Sequence, residues 1–202
     1  MSRYTGPKLR LCRREGINLF GNERYNPAKK SHPPGMHGPK GSFSKPSEYS
    51  RQLREKQKLK RLYGVTERQL SNYFTKAAKK KEITGNALLG LLETRLDNTV
   101  FRAGLAKSRP QARQMVNHGT FRVNGTRVNV PSFQVKMGDK IEVVERLRNS
   151  KMFADLEKQK FAPAKWIKVD YAKIAGEVVR ALEPEDLEKV VQTSLVVEYF
   201  SK

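Results

Sequence analysis

Apolar positions are sparse and irregular up to about residue 46 and become periodic only from Ser47. From there Tyr49, Leu53, Leu59, Leu62 and Tyr63 fall roughly on one side of a helix. Arg51, Arg54, Lys56, Lys58, Lys60 and Arg61 cover much of the rest, and Gly64 predicts a left-handed stop. Thr66-Glu67-Arg68-Gln69 has capping-box spacing, which predicts a second helix with Leu70, Tyr73, Phe74 and Ala77 inward, ending near Lys79-Lys80-Lys81. A third helix is predicted from about Asn86, with Leu88, Leu89, Leu92 and Leu96 at helical spacing.

A compact module follows. Ser108-Arg109-Pro110-Gln111 reads as a helix start, with Ser as N-cap, Pro in the first turn and Gln three residues on. Ala112, Met115 and Val116 then face inward and Gly119 closes the helix after His118. Thr120–Val123 and Thr126–Val130 are strand-like and flank Asn124-Gly125, the strongest short hairpin signal. Phe133–Val135 and Lys140–Val144 predict further strand around Met137-Gly138-Asp139. Beyond it come a charged helical stretch over about Ser150–Lys160, a break at Pro163 and a short strand at Trp166–Val169. Pro184-Glu185-Asp186-Leu187 predicts the opening of a last helix with Leu187, Val190 and Val191 inward. Leu195–Phe200 is apolar enough to dock on another domain. There is no internal repeat. The predicted class is α+β: a mainly helical domain with an inserted module of paired helices and a small antiparallel sheet, preceded by an extended basic arm. The predicted boundaries are 1–46 for the arm, 47–91 for the helical domain completed by about 171–202, and 92–170 for the module.

Charge changes this picture. The chain of 202 residues carries 41 Lys and Arg against 20 Asp and Glu, a net charge of +21. Such self-repulsion weakens the compact state unless a polyanion screens it, which argues against a small-molecule enzyme and for nucleic acid, with an anionic membrane surface second. Residues 1–60 hold +11, 61–120 hold +7 and 121–202 hold +3. The first sixty contain only eight of the 48 Leu, Ile, Val and Phe, and residues 1–46, with six Pro and six Gly, cannot bury enough apolar area to order alone. They are expected to order on a partner, a flexible linker being the alternative. From Asp170 onward there are seven acidic and four basic residues, which makes that end a poor nucleic-acid face. The longest apolar run, Ala87–Leu92, is broken by Gly90, so no bilayer span is expected. No export signal is expected after Met1. Cys12 is the only cysteine, so no internal disulfide, zinc cluster or other metal site is expected, which fits a reducing cytoplasm.

At this level of detail a family becomes recognisable. Leu92-Glu93-Thr94-Arg95-Leu96-Asp97-Asn98-Thr99-Val100-Phe101-Arg102, Ser108-Arg109-Pro110-Gln111-Ala112-Arg113-Gln114 and Val123-Asn124-Gly125 resemble the S-four RNA-binding domain. Outside it, Arg3-Tyr4-Thr5-Gly6-Pro7-Lys8, Arg13-Arg14-Glu15-Gly16, Pro34-Gly35-Met36-His37-Gly38 and Gln52-Leu53-Arg54-Glu55-Lys56-Gln57-Lys58 resemble the S-four family of bacterial small-subunit ribosomal proteins. So do Trp166-Ile167-Lys168-Val169-Asp170 and Leu195-Val196-Val197-Glu198-Tyr199-Phe200-Ser201-Lys202. The resemblance implies a structural constituent of the ribosome that binds small-subunit ribosomal RNA first and nucleates assembly. It also implies contact with a multi-helix junction in the 5′ region of that RNA and with ribosomal protein S-five. A place near the mRNA entrance, an influence on accuracy and, in some members, repression of the protein's own operon belong to the same implication. It implies no catalytic residue and no cofactor. Some relatives hold zinc on a cysteine cluster in the arm, where this chain has Cys12 alone.

RNA contact needs cations set against phosphate, and Arg serves best because its planar fork donates paired hydrogen bonds. The RNA-binding candidates of the arm are Arg3, Tyr4, Lys8, Arg10, Arg13, Arg14 and His37; those of the first long helix are Arg51, Arg54, Lys56, Lys58 and Arg61. In the module they are Lys107, Ser108, Arg109, Arg113, Gln114, Asn117 and His118, gathered at and after a helix start whose free N–H groups favour phosphate. Lys40 and Lys45 are candidates at the mRNA entrance by the resemblance alone. Tyr4 and Tyr25 are stacking candidates, while Tyr49, Tyr73, Phe74, Phe101 and Trp166 read as core. Bland readings stand beside these: Lys79–Lys81, Lys158 and Lys160 as solvated faces, His37 and His118 as structural residues, and Arg95 as partner of Asp97.

Two other functions compete. Arg95-Leu96-Asp97-Asn98-Thr99 resembles the segment around the catalytic Asp of pseudouridine synthases that carry an S-four domain, although the sequence after Val144 is too short and too helical for their catalytic domain. Two helices joined by a turn with basic residues could also read a DNA major groove.

Overall fold

The computed structural model describes residues 4–30, 32–39, 45–148, 150, 153 and 163–201. The chain divides into two compact units, Met1–Gly85 with Lys189–Lys202, and Asn86–Glu188. The charged stretch expected at 150–160 lies outside the described residues except for Ser150 and Phe153.

The first unit is helical. The arm is not wholly extended: Lys8–Glu15 forms helix α1, which buries Cys12 and ends on Gly16 at φ 71°, a left-handed angle glycine adopts without a Cβ clash. Single 3₁₀ turns follow at Glu23–Tyr25 and Pro27–Lys29, each capped by an Asn side chain. Helix α2 (Glu48–Tyr63) is capped by Ser47 and closed by Gly64 at φ 63°. Helix α3 (Glu67–Ala78) opens on the predicted capping box: Gln69 N–H donates to Thr66 Oγ1 and Thr66 N–H to Gln69 Oε1. The unit is completed by the C-terminal helix, here α8 (Thr193–Ser201), which packs on α2. Phe200 stacks on Phe74 at 4.7 Å between ring centres, and Gln52 donates to Glu198 across 146 residues of sequence.

The second unit is α+β. Helices α4 (Thr84–Glu93), α5 (Leu96–Arg102) and α6 (Arg109–Asn117) precede strands β1 (Phe121–Val123), β2 (Thr126–Val128) and β3 (Lys140–Val143). A single turn α7 (Glu145–Arg148) and a second hairpin, β4 (Ile167–Asp170) and β5 (Ala175–Val178), complete it. All strand pairs are antiparallel and the sheet order is β2-β1-β3-β5-β4. Asn124 and Gly125, at φ 49° and 81°, make the tight turn that pairs Arg122 with Arg127. Leu96, Val100, Ala112, Val116, Phe121, Ile141, Phe153 and Trp166 belong to one core, so the sheet lies against α5 and α6.

Several expectations are corrected. The expected strand at Phe133–Val135 is one bridge, Gln134 to Arg95, because Phe133 and Val135 pair with the α4–α5 link: Leu96 N–H donates to Phe133 O and Val135 N–H to Thr94 O. No helix opens at Pro184; Pro184–Asp186 is a 3₁₀ turn whose Asp186 carboxylate takes Arg180 at 2.8 and 3.0 Å and the Glu183 N–H at 3.1 Å. The helix comes nine residues later. Residues 175–178, expected to belong with the helical domain, instead form the strand between β3 and β4, and the chain returns to the helical unit at Lys189. Tyr49, expected in the core, is half exposed and leans on Tyr199.

Candidate RNA interface

In the first unit, many candidate cations are already paired. Glu15, with its side chain 1% exposed, accepts from Arg54 Nη1 at 3.3 Å and from Arg61 Nη1. Burial pushes the Glu15 carboxyl up, and the Arg54, Arg61, Lys58 and Arg14 charges only partly pull it back. Arg13 donates to the carbonyls of His32 and Pro33, both at 3.2 Å, and so ties the proline turn to α1. The Lys8 ammonium lies 5.4 Å from the Phe20 ring centre and 5.8 Å from that of Tyr25, which occupies Tyr25 with packing. Lys56 donates to Glu67 at 2.5 Å and stands 4.3 Å over Tyr199, and Lys58 donates to Glu55 at 2.5 Å. Burial pushes Glu67 up, but hydrogen bonds from Lys56 and Lys60 outweigh it and hold the carboxyl below its ordinary range.

Arg10, Arg14 and Arg51 differ. All three are exposed, and among the described residues their side chains make no ion pair or hydrogen bond. Two come from α1 and one from the first turn of α2, so helices rather than loose chain carry them. Tyr4 is exposed, its hydroxyl donating to Pro7 O at 3.4 Å, and His37 and Lys45 are exposed. Arg3 and Lys40 lie outside the described residues.

In the second unit the candidates gather on α6. Ser108 caps it, accepting from Gln111 N–H at 3.4 Å, while Gln111 Oε1 accepts from Lys107 N–H at 2.9 Å. Gln114 and His118 are exposed one turn apart, and Arg113 and Asn117 lie half-buried beside them. Asn117, His118, Gly119, Arg127 and Asn129 line an open cleft of about 270 Å³ at the helix end. Arg127 closes one side, donating to Gly119 O at 2.8 Å and His118 O at 2.9 Å.

Arg109 is turned inward. Its Nε donates to Asn98 Oδ1 at 2.8 Å, its guanidinium lies 4.7 Å from the Phe101 ring centre, and its Nη2 reaches Glu188 at 3.4 Å. Arg102 Nη2 reaches the same Glu188 oxygen at 2.9 Å and also donates to the buried Glu93. Asn98 Nδ2 donates back to Glu93, closing a ring of Glu93, Arg102, Glu188, Arg109 and Asn98. Sequence reasoning missed this ring because Glu188 is 79 residues from Arg109 and no local pattern joins them. Arg127 was missed too, although the Asn124-Gly125 turn sets it opposite Arg122 and marks two cations on one hairpin face.

Asp97 is not presented to solvent. It takes Arg95 Nε at 3.0 Å and Nη2 at 2.7 Å in a pair whose two side chains are 1% and 6% exposed. Its carboxylate therefore locks the start of α5, and Arg95 is its partner. No group of three or more His, Cys, Asp or Glu among the described residues is arranged to hold a metal ion. No helix among them is long and apolar enough to cross a membrane.

Residues 3–93 match the "Ribosomal protein S4/S9 N-terminal domain" and residues 94–141 the "S4 domain". Over its whole length the chain is 46% identical to "Small ribosomal subunit protein uS4" of Thermus thermophilus, with all of both chains covered. The chain belongs to the ribosomal protein S4 family. It is likewise 48% identical to the uS4 of Natranaerobius thermophilus and 44% to that of Desulfitobacterium hafniense, again with all of both chains covered. The family is one of ribosomal proteins and not of enzymes, and the paired, buried Asp97 agrees with that. The likeness is to full-length S4 proteins, so it takes in α1, the helical unit and α8 as well as the S4 domain.

Proposed function

We propose that this chain is a structural protein of the small ribosomal subunit in the cytoplasm, which binds small-subunit ribosomal RNA directly and nucleates assembly on it. The observation that carries the reading is the likeness along the whole length to proteins named for that subunit. The exposed, unengaged Arg10, Arg14 and Arg51 supply what the function needs, because structured RNA is gripped mainly through phosphates, 2′-hydroxyls and shape. The finer reading has the protein on the multi-helix junction of the RNA's 5′ region, touching ribosomal protein S-five, near the mRNA entrance with Lys40 and Lys45 toward it, and influencing accuracy. The division of the chain into arm, helical domain and S4 module is part of that proposal.

The test is salt-dependent binding of the full-length protein to a transcript of the 5′ region of small-subunit rRNA, with duplex DNA alongside at matched ionic strength. Replacing Arg10, Arg14 and Arg51 together by Ala is expected to weaken RNA binding and to lower the slope of log K against log salt by about 2–3. Folding is expected to persist, since none of the three side chains makes an ion pair or hydrogen bond among the described residues. An unchanged slope means they do not meet phosphate. Tighter binding to duplex DNA at every salt concentration would overturn the ribosomal RNA reading.

A further inference from the structure

Glu188 sits where an RNA phosphate would be expected. One of its oxygens accepts from Arg102 Nη2 at 2.9 Å and from Arg109 Nη2 at 3.4 Å. Two guanidinium groups converging on one anionic oxygen is the arrangement proteins use for phosphate. The site lies at the start of α6, where the helix dipole adds positive potential and Lys107 stands exposed.

The two arginines do not need Glu188 to hold their orientation. Arg109 is fixed at Nε by Asn98 and across its face by Phe101. Arg102 is fixed by Glu93, which accepts from its Nε at 2.9 Å and its Nη2 at 2.7 Å. Glu93 is fully buried and held by Asn98 as well, so it is the permanent counter-charge. Glu188 is the exchangeable one. It lies in irregular backbone between the 3₁₀ turn and α8, so swinging it out breaks no helix or strand. Its side chain is 18% exposed and those of Arg102 and Arg109 are 23% and 15%, so solvent reaches the cluster.

We infer that Arg102 and Arg109 form a phosphate site that the Glu188 carboxylate occupies in the free protein and that RNA opens by displacing it. This rests on the RNA-binding reading above and adds to it a built-in competitor. Free protein then carries a neutralised patch at the head of α6, and only RNA whose phosphate reaches both guanidiniums gains from uncovering it. Weak, purely electrostatic encounters with other polyanions leave the glutamate in place.

Full-length wild type, Glu188→Gln, Glu188→Ser and Glu185→Gln are titrated with the 5′-region rRNA transcript at one stated salt concentration. Glu185 is exposed, three residues away and without an ion pair among the described residues, so Glu185→Gln reports the general effect of one lost negative charge. Glu188→Gln and Glu188→Ser are expected to bind about fivefold more tightly than wild type, and Glu185→Gln within about twofold of it. Adding Arg109→Ala to Glu188→Gln is expected to abolish the gain. Glu188 variants that bind no more tightly than Glu185→Gln overturn the inference while leaving the RNA-binding reading intact, and would mean that Glu188 only braces the fold. Failure of the wild type to bind the transcript overturns the underlying reading instead. Should Glu188→Gln not fold, the smaller Glu188→Ser carries the same test.

Discussion

Replacing Gly119 by Ala tests how the end of α6 is joined to the hairpin. Gly119 has φ 66°, and a Cβ there would lie 2.8 Å from Arg127 Cζ and Nη2, with Nε closer still. The crowded atoms are the far end of a flexible side chain, so Arg127 can move away, but only by giving up its bonds to Gly119 O and His118 O. The left-handed backbone costs about 1 kcal/mol for Ala. Two partly exposed hydrogen bonds add roughly 0.5–1 kcal/mol each. Gly119→Ala is therefore expected to destabilise the second unit by about 2–3 kcal/mol. In an Arg127→Ala background only the backbone cost of about 1 kcal/mol is left. Trp166, the only tryptophan, is buried in the core of that unit, so its fluorescence during denaturant unfolding reads the transition there. A coupling between the two substitutions below about 0.5 kcal/mol would refute the argument, because it would mean that the Arg127 bonds contribute nothing to closing the helix.

Two carboxylates of the first unit should respond oppositely to pH. Glu15 is raised by burial, so its contribution to stability is full below the ordinary glutamate value of about 4.3 and is lost as pH rises through its folded value. Glu67 is depressed despite burial, by its lysine hydrogen bonds, so its contribution is present above about 4.3 and is lost as pH falls through its folded value. Thermal unfolding of Glu15→Gln and Glu67→Gln against wild type from acid to neutral pH should give differences of opposite slope, and slopes of one sign would contradict the assignment. Thr66→Ala removes one arm of the capping box of α3 and is expected to cost about 1 kcal/mol, read as faster amide exchange along that helix; unchanged protection would show the box to be dispensable.

What the sequence made legible was local. The Thr66 box, the Ser108 cap, the Gly64 and Gly119 stops and the Asn124-Gly125 turn each need only a few adjacent residues, and each was found where its chemistry required it. Strand β5 was hidden because Ala175-Gly176-Glu177-Val178 has weak strand chemistry and is held by partners on both sides. An added Cβ at Gly176 would meet Ile167 at 3.5 Å and Ala103 at 3.8 Å, ordinary contact distances, so the strand is held there by its partners and not by a need for glycine. Helix α1 was hidden by its Pro and Gly flanks and its eight-residue length.

The candidate interface shows the same division at the level of charge. Composition gives an excess of cations but not which of them the fold has already used. Among the arginines of α1 and α2, Arg13, Arg54 and Arg61 are drawn to backbone carbonyls or to Glu15, while Arg10, Arg14 and Arg51 remain uncommitted. The partners that decide this lie 19 to 46 residues away in sequence, beyond any local pattern. A paired arginine is still not excluded from RNA. Where its carboxylate partner is buried and permanent, as Glu93 is for Arg102, the pair fixes direction; where the partner is only partly buried and sits on irregular backbone, as Glu188 does, phosphate can compete for the same donors. Net charge alone therefore overstates how many cations bind RNA, and an inventory of unpaired cations understates it. The measurable quantity between them is the number of ions released on binding, which should exceed the count of unpaired arginines by those whose carboxylates RNA displaces.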